Sequence, residues 1–301
     1  MGGVTVRRAT LLVVVGLASL LLGACLLPGS TPPVIKIGLI APFEGPSRPL
    51  GYSVLNGVRL RLQQWNEAGH SPRVELVALN DNGDPDLAVQ LPAQLAIDPD
   101  VLLVLGPPQG HTALAVLPEL SKHELPALSL APLPDDSSMW VVPFAGVDAD
   151  LQAALARYGL DGPVMRQQPL AGPSIWVGDP QTLAEIVSTM PDMILAAGVV
   201  AIEPAFAAWA GAASNGMIWA SATPENLSAD FADSFQVLTG SPHQQISALA
   251  YAATDHALSM MTEHTERATL RSAIQDHPTM PIQVYQRQGA DCCVPLTPDP
   301  Q

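Results

Sequence analysis

From residue 34 onward, the alternation of apolar and polar positions repeats one unit: a short apolar run, a turn rich in Gly, Pro or Asp, then an amphipathic helical stretch. "VIKIGLIA" (34–41) is β-branched and of strand length. After a Pro/Gly loop, "SVLNGVRLRLQQWNEAG" (53–69) places Val54, Val58, Leu62 and Trp65 at helical spacing and ends on Gly69, a C-terminal stop. "RVELVALN" (73–80) alternates as a strand, with Val74, Leu76 and Ala78 on one face. "DNGDPDLAVQLPAQLAI" (81–97) is turn and helix, with Asp84 as N-cap and Pro85 in the first helical position. "DVLLVLG" (100–106) is a buried strand, "HTALAVLPELSKHE" (111–124) a helix and "LPALSLAP" (125–132) a strand. Repeated βαβ units of this length imply a parallel, doubly wound sheet covered by helices on both faces.

The run before residue 34 has a different pattern. Arg7 and Arg8 precede "TLLVVVGLASLLL", and Gly23 and Ala24 supply small residues just before Cys25. That is the layout of an export signal. Leu22, Gly23, Ala24 and Cys25 resemble the bacterial lipobox, in which the Cys is acylated and becomes the new N-terminus. An uncleaved transmembrane helix over 9–27 and an ordinary signal with an incidental Cys stand as alternatives. All three export the rest of the chain, because the arginines favour a cytoplasmic N-terminus. A lipoprotein Cys carries two or three acyl chains, which a stable anchor needs at about 0.8 kcal/mol per buried methylene. "LLPGSTPP" then reads as a tether.

Composition narrows the function. Residues 25–301 exceed one typical core and suit two lobes. The net charge is −15 and Lys36 and Lys122 are the only lysines, which argues against a nucleic-acid partner. "NDNGDPD" lacks the Gly and Glu positions of a calcium loop and reads as a capped turn. "GPPQGHT" is a residue short of a phosphate loop and has His111 where Lys is needed. No nucleophile elbow, zinc-protease pattern or paired CxxC occurs, so no catalytic residue, metal or cofactor is expected. Adjacent Cys292 and Cys293 can join to each other, pair with another chain or stay as thiols, and are read as an incidental tail feature.

The strands and helices of 35–132, with the "GD" plus Pro turn and the "GP" after the third strand, look like the first lobe of the periplasmic binding proteins of type 1. The most similar subfamily is the leucine/isoleucine/valine-binding proteins that feed ABC importers. "PFAGVDADLQAALARY", "PDMILAAGVVAIEPAFAAWAGAASNGMIW" and "FADSFQVLTGSPHQQISALAYAATDHALSMM" resemble the crossover, later strands and return helices of the second lobe. Residues 159–190 are too few for the family's full set, so the second lobe is reduced by about one βα unit. The resemblance implies an α/β, two-lobed fold, each lobe a mostly parallel doubly wound sheet. It divides the chain into signal (1–24), tether (25–33), lobe one (34–142 plus 241–280) and lobe two (143–240 plus 281–301). It also implies a monomeric, non-enzymatic, extracytoplasmic lipoprotein that binds a small molecule and hands it to an ABC permease. A ligand-free structural or regulatory lipoprotein with the same fold is the alternative.

In open α/β sheets ligands sit beyond the carboxyl ends of the strands. That places loops 41–51, 106–112 and 129–136 opposite loops 196–200 and 220–224. The candidate ligand-binding residues are Leu50, Gln109, Gly110, His111, Thr112, Ser129, Leu130, Ala131 and Leu133 in lobe one, with Gly198, Ile202, Ser221 and Ala222 in lobe two. Amino-acid binders of the family use a Ser, a Thr, an acid and aromatics here. The matching positions carry Gly110, Pro132 or Leu133, Ile202 and Ala222, so the implied ligand is amino-acid-like or less polar. Backbone N–H groups at Gly110, His111 and Thr112 can receive an anionic group. Glu203 or Glu225 can supply the missing acid, although a solvated surface position is the expectation for both.

Overall fold

The computed structural model describes residues 34–136, 138–167, 172–225, 227–277, 280–288 and 293–297. The candidate lipobox, including Cys25, lies outside them, as does Cys292. Cys293 is disulfide-bonded. Among the described residues no helix is long and apolar enough to cross a membrane.

Eleven strands are distributed over two sheets. The first contains β1 (Val34–Ala41), β2 (Arg73–Asn80), β3 (Val101–Leu105), β4 (Ala127–Leu128) and β5 (Val141–Val142), in the order β2-β1-β3-β4-β5, all pairs parallel. The second contains β6 (Val164–Met165), β7 (Ser174–Trp176), β8 (Ile194–Ala197), β9 (Ile218–Ala222), β10 (Ile282–Gln286) and β11 (Val294–Pro295), in sequence order across the sheet. Its β6 to β9 pairs are parallel, while β10 runs antiparallel to both β9 and β11.

Strand β1 reads as an almost continuous apolar run because both its faces are covered. Ile35, Ile37, Leu39 and Ala41 face α1 (Arg48–Glu67) and α9 (Gln245–Met261) in one core cluster, while Ile40 joins the opposite cluster under α2 (Pro85–Ala88), α3 (Leu91–Ala96) and α4 (Gly110–Lys122). The second sheet is sandwiched in the same way. Leu151, Ala154 and Leu155 of α5 (Asp148–Ala156) cover one face, and Leu183, Ile186 and Val187 of α6 (Pro180–Thr189) with Phe206 of α7 (Pro204–Ala210) cover the other.

Helix α1 starts five residues before the expected Ser53, with Pro49 in its first turn supplying a preset φ. Gly69, just past its end, has φ +75° and serves the stop role expected of it. Asp84 caps α2 by accepting from the Asp86 amide at 2.8 Å. The single helix expected over 85–97 is two short ones, because Pro92 opens the second. Between β6 and β7 there is no helix among the described residues. Helix α8 (Phe231–Thr239), expected with lobe two, instead packs Phe231 and Phe235 on Leu60, Ala248 and Tyr251 of the first body. α10 (Arg267–Ala273) adds Leu270 to the same side as α9.

Candidate functional site

The strand ends of the two sheets face each other, and the loops that leave them make a tight seam. Gly106 turns the chain out of β3 with φ +85°, and a Cβ there would stand 2.4 Å from the Ile40 carbonyl oxygen, so only glycine fits. The turn delivers Gln109 and Gly110 to the far lobe. A Cβ on Gly110 would lie 2.5 Å from the carbonyl oxygen of Val177, the residue after β7. Two backbones from different lobes therefore touch where a wider gap was expected.

Gln109, fully buried, fills the space beside that contact. Its Nε2 donates to Ser47 Oγ at 2.9 Å and, across the seam, to Glu203 Oε1 at 2.8 Å. Glu203 is the N-cap residue of α7 and is 1 % exposed, which overturns the expectation of a solvated surface position. Burial is the main reason its carboxyl is pushed up to about 7, and Asp179 and Asp81 push it the same way, against hydrogen bonds from Ser47 and Gln109. Asp81, also buried, is pushed up to about 6, again chiefly by burial. Its Oδ1 accepts from the Gly83 amide at 2.9 Å, the closing bond of the turn inferred for "NDNGDPD". His111 contacts the Gly83 carbonyl through Nε2 at 2.9 Å, and burial lowers its pKa.

On the β6 flank, Arg166 binds Asp148 through two bonds of 2.9 and 2.6 Å and donates Nη2 to the Pro132 carbonyl of the first lobe at 2.8 Å. Next to it a cavity of about 520 Å³ opens between the lobes, lined by Asp84, His111, Arg166, Gln167, Asp179 and Thr182 among others.

The thirteen expected ligand residues divide into four groups. Leu50, Leu130 and Ala222 belong to one apolar cluster that joins both bodies, with half-buried Ile202 packed against it. Ala131 and Leu133 lie in the helix-covered core on the other face of the first sheet, where side chains hold the sheet together. Ser129 donates to the Ala131 carbonyl at 2.8 Å, Thr112 to the Gln109 carbonyl at 3.1 Å and Ser221 to the Ala222 carbonyl at 3.2 Å, so these hydroxyls are engaged locally. Gln109 and Gly110 meet the opposite lobe, buried Gly198 sits over Val177, and His111 lines the cavity.

Ser47, Asp81 and Arg166 were not foreseen. Arg166 directly follows the short edge strand β6, and Glu203 is the one acid in the apolar stretch 199–208. An ionisable residue alone in an apolar run is the signal that points to Glu203, since such a residue is rarely buried without a partner.

Residues 34–168 match the family model described as periplasmic binding protein. No curated protein sequence matches the chain significantly. Among solved structures, a leucine-binding protein from Thermotoga maritima aligns at TM-score 0.70 and 15 % identity over 87 % of this chain and 98 % of its own. A branched-chain amino acid transporter substrate-binding protein from Streptococcus pneumoniae, in complex with isoleucine, aligns at 0.66 and 14 % over 88 % and 99 %. A solute-binding protein of an ABC transporter from R. palustris, in complex with benzoate, aligns at 0.59 and 14 % over 88 % and 96 %. Residues 34–168 thus resemble the periplasmic binding proteins in sequence, and nearly nine-tenths of the chain shares the fold of these solved structures.

Proposed function

We propose that this protein is the exported solute receptor of an ABC importer, anchored through lipid on Cys25, acting as a monomer and delivering a small amino-acid-like or less polar organic molecule to a membrane permease. The observation that carries the reading is unspent hydrogen-bonding capacity at the seam. Asp81 Oδ2, Gln109 Oε1, His111 Nδ1, Arg166 Nε and Glu203 Oε2 are buried without a hydrogen-bond partner among the described residues. Each such atom costs about 1–3 kcal/mol when left alone, so the seam has polar groups to offer an incoming ligand once the lobes part. Similar structures hold isoleucine and benzoate, both an apolar body carrying one carboxylate, which sets the class to screen first.

The second reading, a ligand-free lipoprotein that uses its surface for protein contacts, is favoured by one specific fact. The gap is already closed by the chain itself, through Gln109 to Glu203 and Gly110 against Val177. A thermal-shift screen over amino acids, amides and small carboxylates separates the two. A true solute at a hundredfold excess over its Kd stabilises the fold by about 2.7 kcal/mol. No shift across the panel refutes the receptor reading. For the anchor, the intact mass of membrane-extracted protein is expected to begin at an acylated Cys25.

A further inference from the structure

Glu203 occupies an unusual place. It belongs to the second lobe, yet its partner is Gln109 of the first, which is held in turn by Ser47 at the entry to α1. No water reaches the carboxyl, because it is 1 % exposed, and Oε2 has no hydrogen-bond partner among the described residues. The charges that act on it through space are those of Asp179, at the N-terminus of α6, and Asp81, at the end of β2. Cations on the same seam are committed elsewhere. Arg166 is held by Asp148 and the Pro132 carbonyl, and Arg287 donates Nη1 to the Ala201 carbonyl at 2.9 Å. Burial lowers the pKa of the His111 imidazole, against the opposing pull of Asp179 and Asp84. An ionised Glu203 would thus sit dry, beside two other carboxylates, with the Gln109 amide and the Ser47 hydroxyl for support.

We propose that Glu203 is a proton-operated latch: neutral, it holds the second lobe on the first through Gln109, and ionised, it drives them apart, so closure tightens as pH falls. This rests on the reading that the lobes part to admit a solute, and it adds how that opening is controlled.

The sign follows from the two environments. With the lobes apart the carboxyl is wet and titrates near its ordinary 4.5, whereas in the closed form it titrates at about 7. Closing therefore takes up a proton between those values, and the closing equilibrium weakens by up to tenfold per pH unit as pH rises through that window, then levels off. Asp81, raised from 3.8 to about 6, acts in the same direction over a lower window.

Solution X-ray scattering of the mature, solute-free protein between pH 5.5 and 8 tests this, a range kept above the isoelectric point of about 4.6. The radius of gyration is expected to rise from pH 5.5 to about 7 and then level, as the closing equilibrium drops by roughly thirtyfold. Glu203→Gln keeps an acceptor oxygen for Gln109 and cannot ionise, so it is expected to stay compact at every pH, while Asp81→Asn retains the rise. Gln109→Ala, which lacks the donor, is expected to be expanded already at pH 5.5. A wild-type radius that does not respond to pH overturns the latch. So does a Glu203→Gln variant that expands like the wild type, or a Gln109→Ala variant as compact as the wild type at pH 5.5. Because no solute is present, a pH response without any binder in the thermal screen keeps the latch and removes the receptor reading, and a binder without a pH response does the reverse.

Discussion

Replacing Gly110 by Ala places one methyl group between the lobes, and its consequence can be worked from distances. The new Cβ would stand 2.5 Å from the Val177 carbonyl oxygen, 3.3 Å from its Cγ2 and 3.4 Å from its carbonyl carbon. The oxygen is backbone and cannot swing aside, so the lobes must separate by about 1 Å to reach ordinary contact. Gln109 is the preceding residue, and a shift of that size stretches its 2.8 Å bond to Glu203 beyond hydrogen-bonding range. Overpacking of this kind costs about 1–3 kcal/mol. Alanine's better helix propensity at the start of α4 offsets at most about 1 kcal/mol. The net loss of about 1–2 kcal/mol lowers the melting midpoint by about 2–4 °C. Calorimetry measures the midpoint, and hydrogen exchange at the seam amides, which should quicken beside Gly198, reports the separation. An unchanged or raised midpoint with unaltered exchange would refute the inference that the two backbones touch.

Two further perturbations probe other parts of the molecule. Asp148→Leu leaves the guanidinium of Arg166 (side chain 7 % exposed) without its carboxylate and is expected to cost about 3–5 kcal/mol, whereas the double change with Arg166→Leu should recover much of that in a urea-unfolding double-mutant cycle. Additive losses would show the pair to be uncoupled. Trp219, fully buried and stacked 4.4 Å from the Tyr285 ring, ties β9 to β10, so Trp219→Ala should cost about 3–5 kcal/mol by chemical denaturation. A loss under 1 kcal/mol would mean that this ring pair does not hold the second sheet together.

The first sheet was largely legible from pattern alone, because each of its strands is preceded or followed by local punctuation: Gly69 after α1, Asp84 and Pro85 before α2, Gly106 after β3. The loops that would meet the other lobe were legible too, since parallel sheets put such loops at strand carboxyl ends. How those loops pack was not. Leu130 and Leu133 are neighbours in sequence, yet one enters the cluster shared by the two bodies and the other the core on the opposite face of its sheet. Composition could not say which. For Glu203 the sequence suggests a replacement acid or, more simply, a solvated surface position, and only the closeness of Gln109 from a distant turn makes its burial tolerable. The position of α8 departs from expectation for a similar reason: its partner Leu60 lies far away in the chain, and long-range pairing leaves no local signature.

The order in which the sheets are completed has a consequence for biogenesis. The second sheet is not whole until β10 is laid antiparallel to β9 and β11 to β10, and the first body lacks α9 and α10 until residue 273 has been made. A nascent chain emerging from the ribosome thus has neither half finished until its last few dozen residues appear.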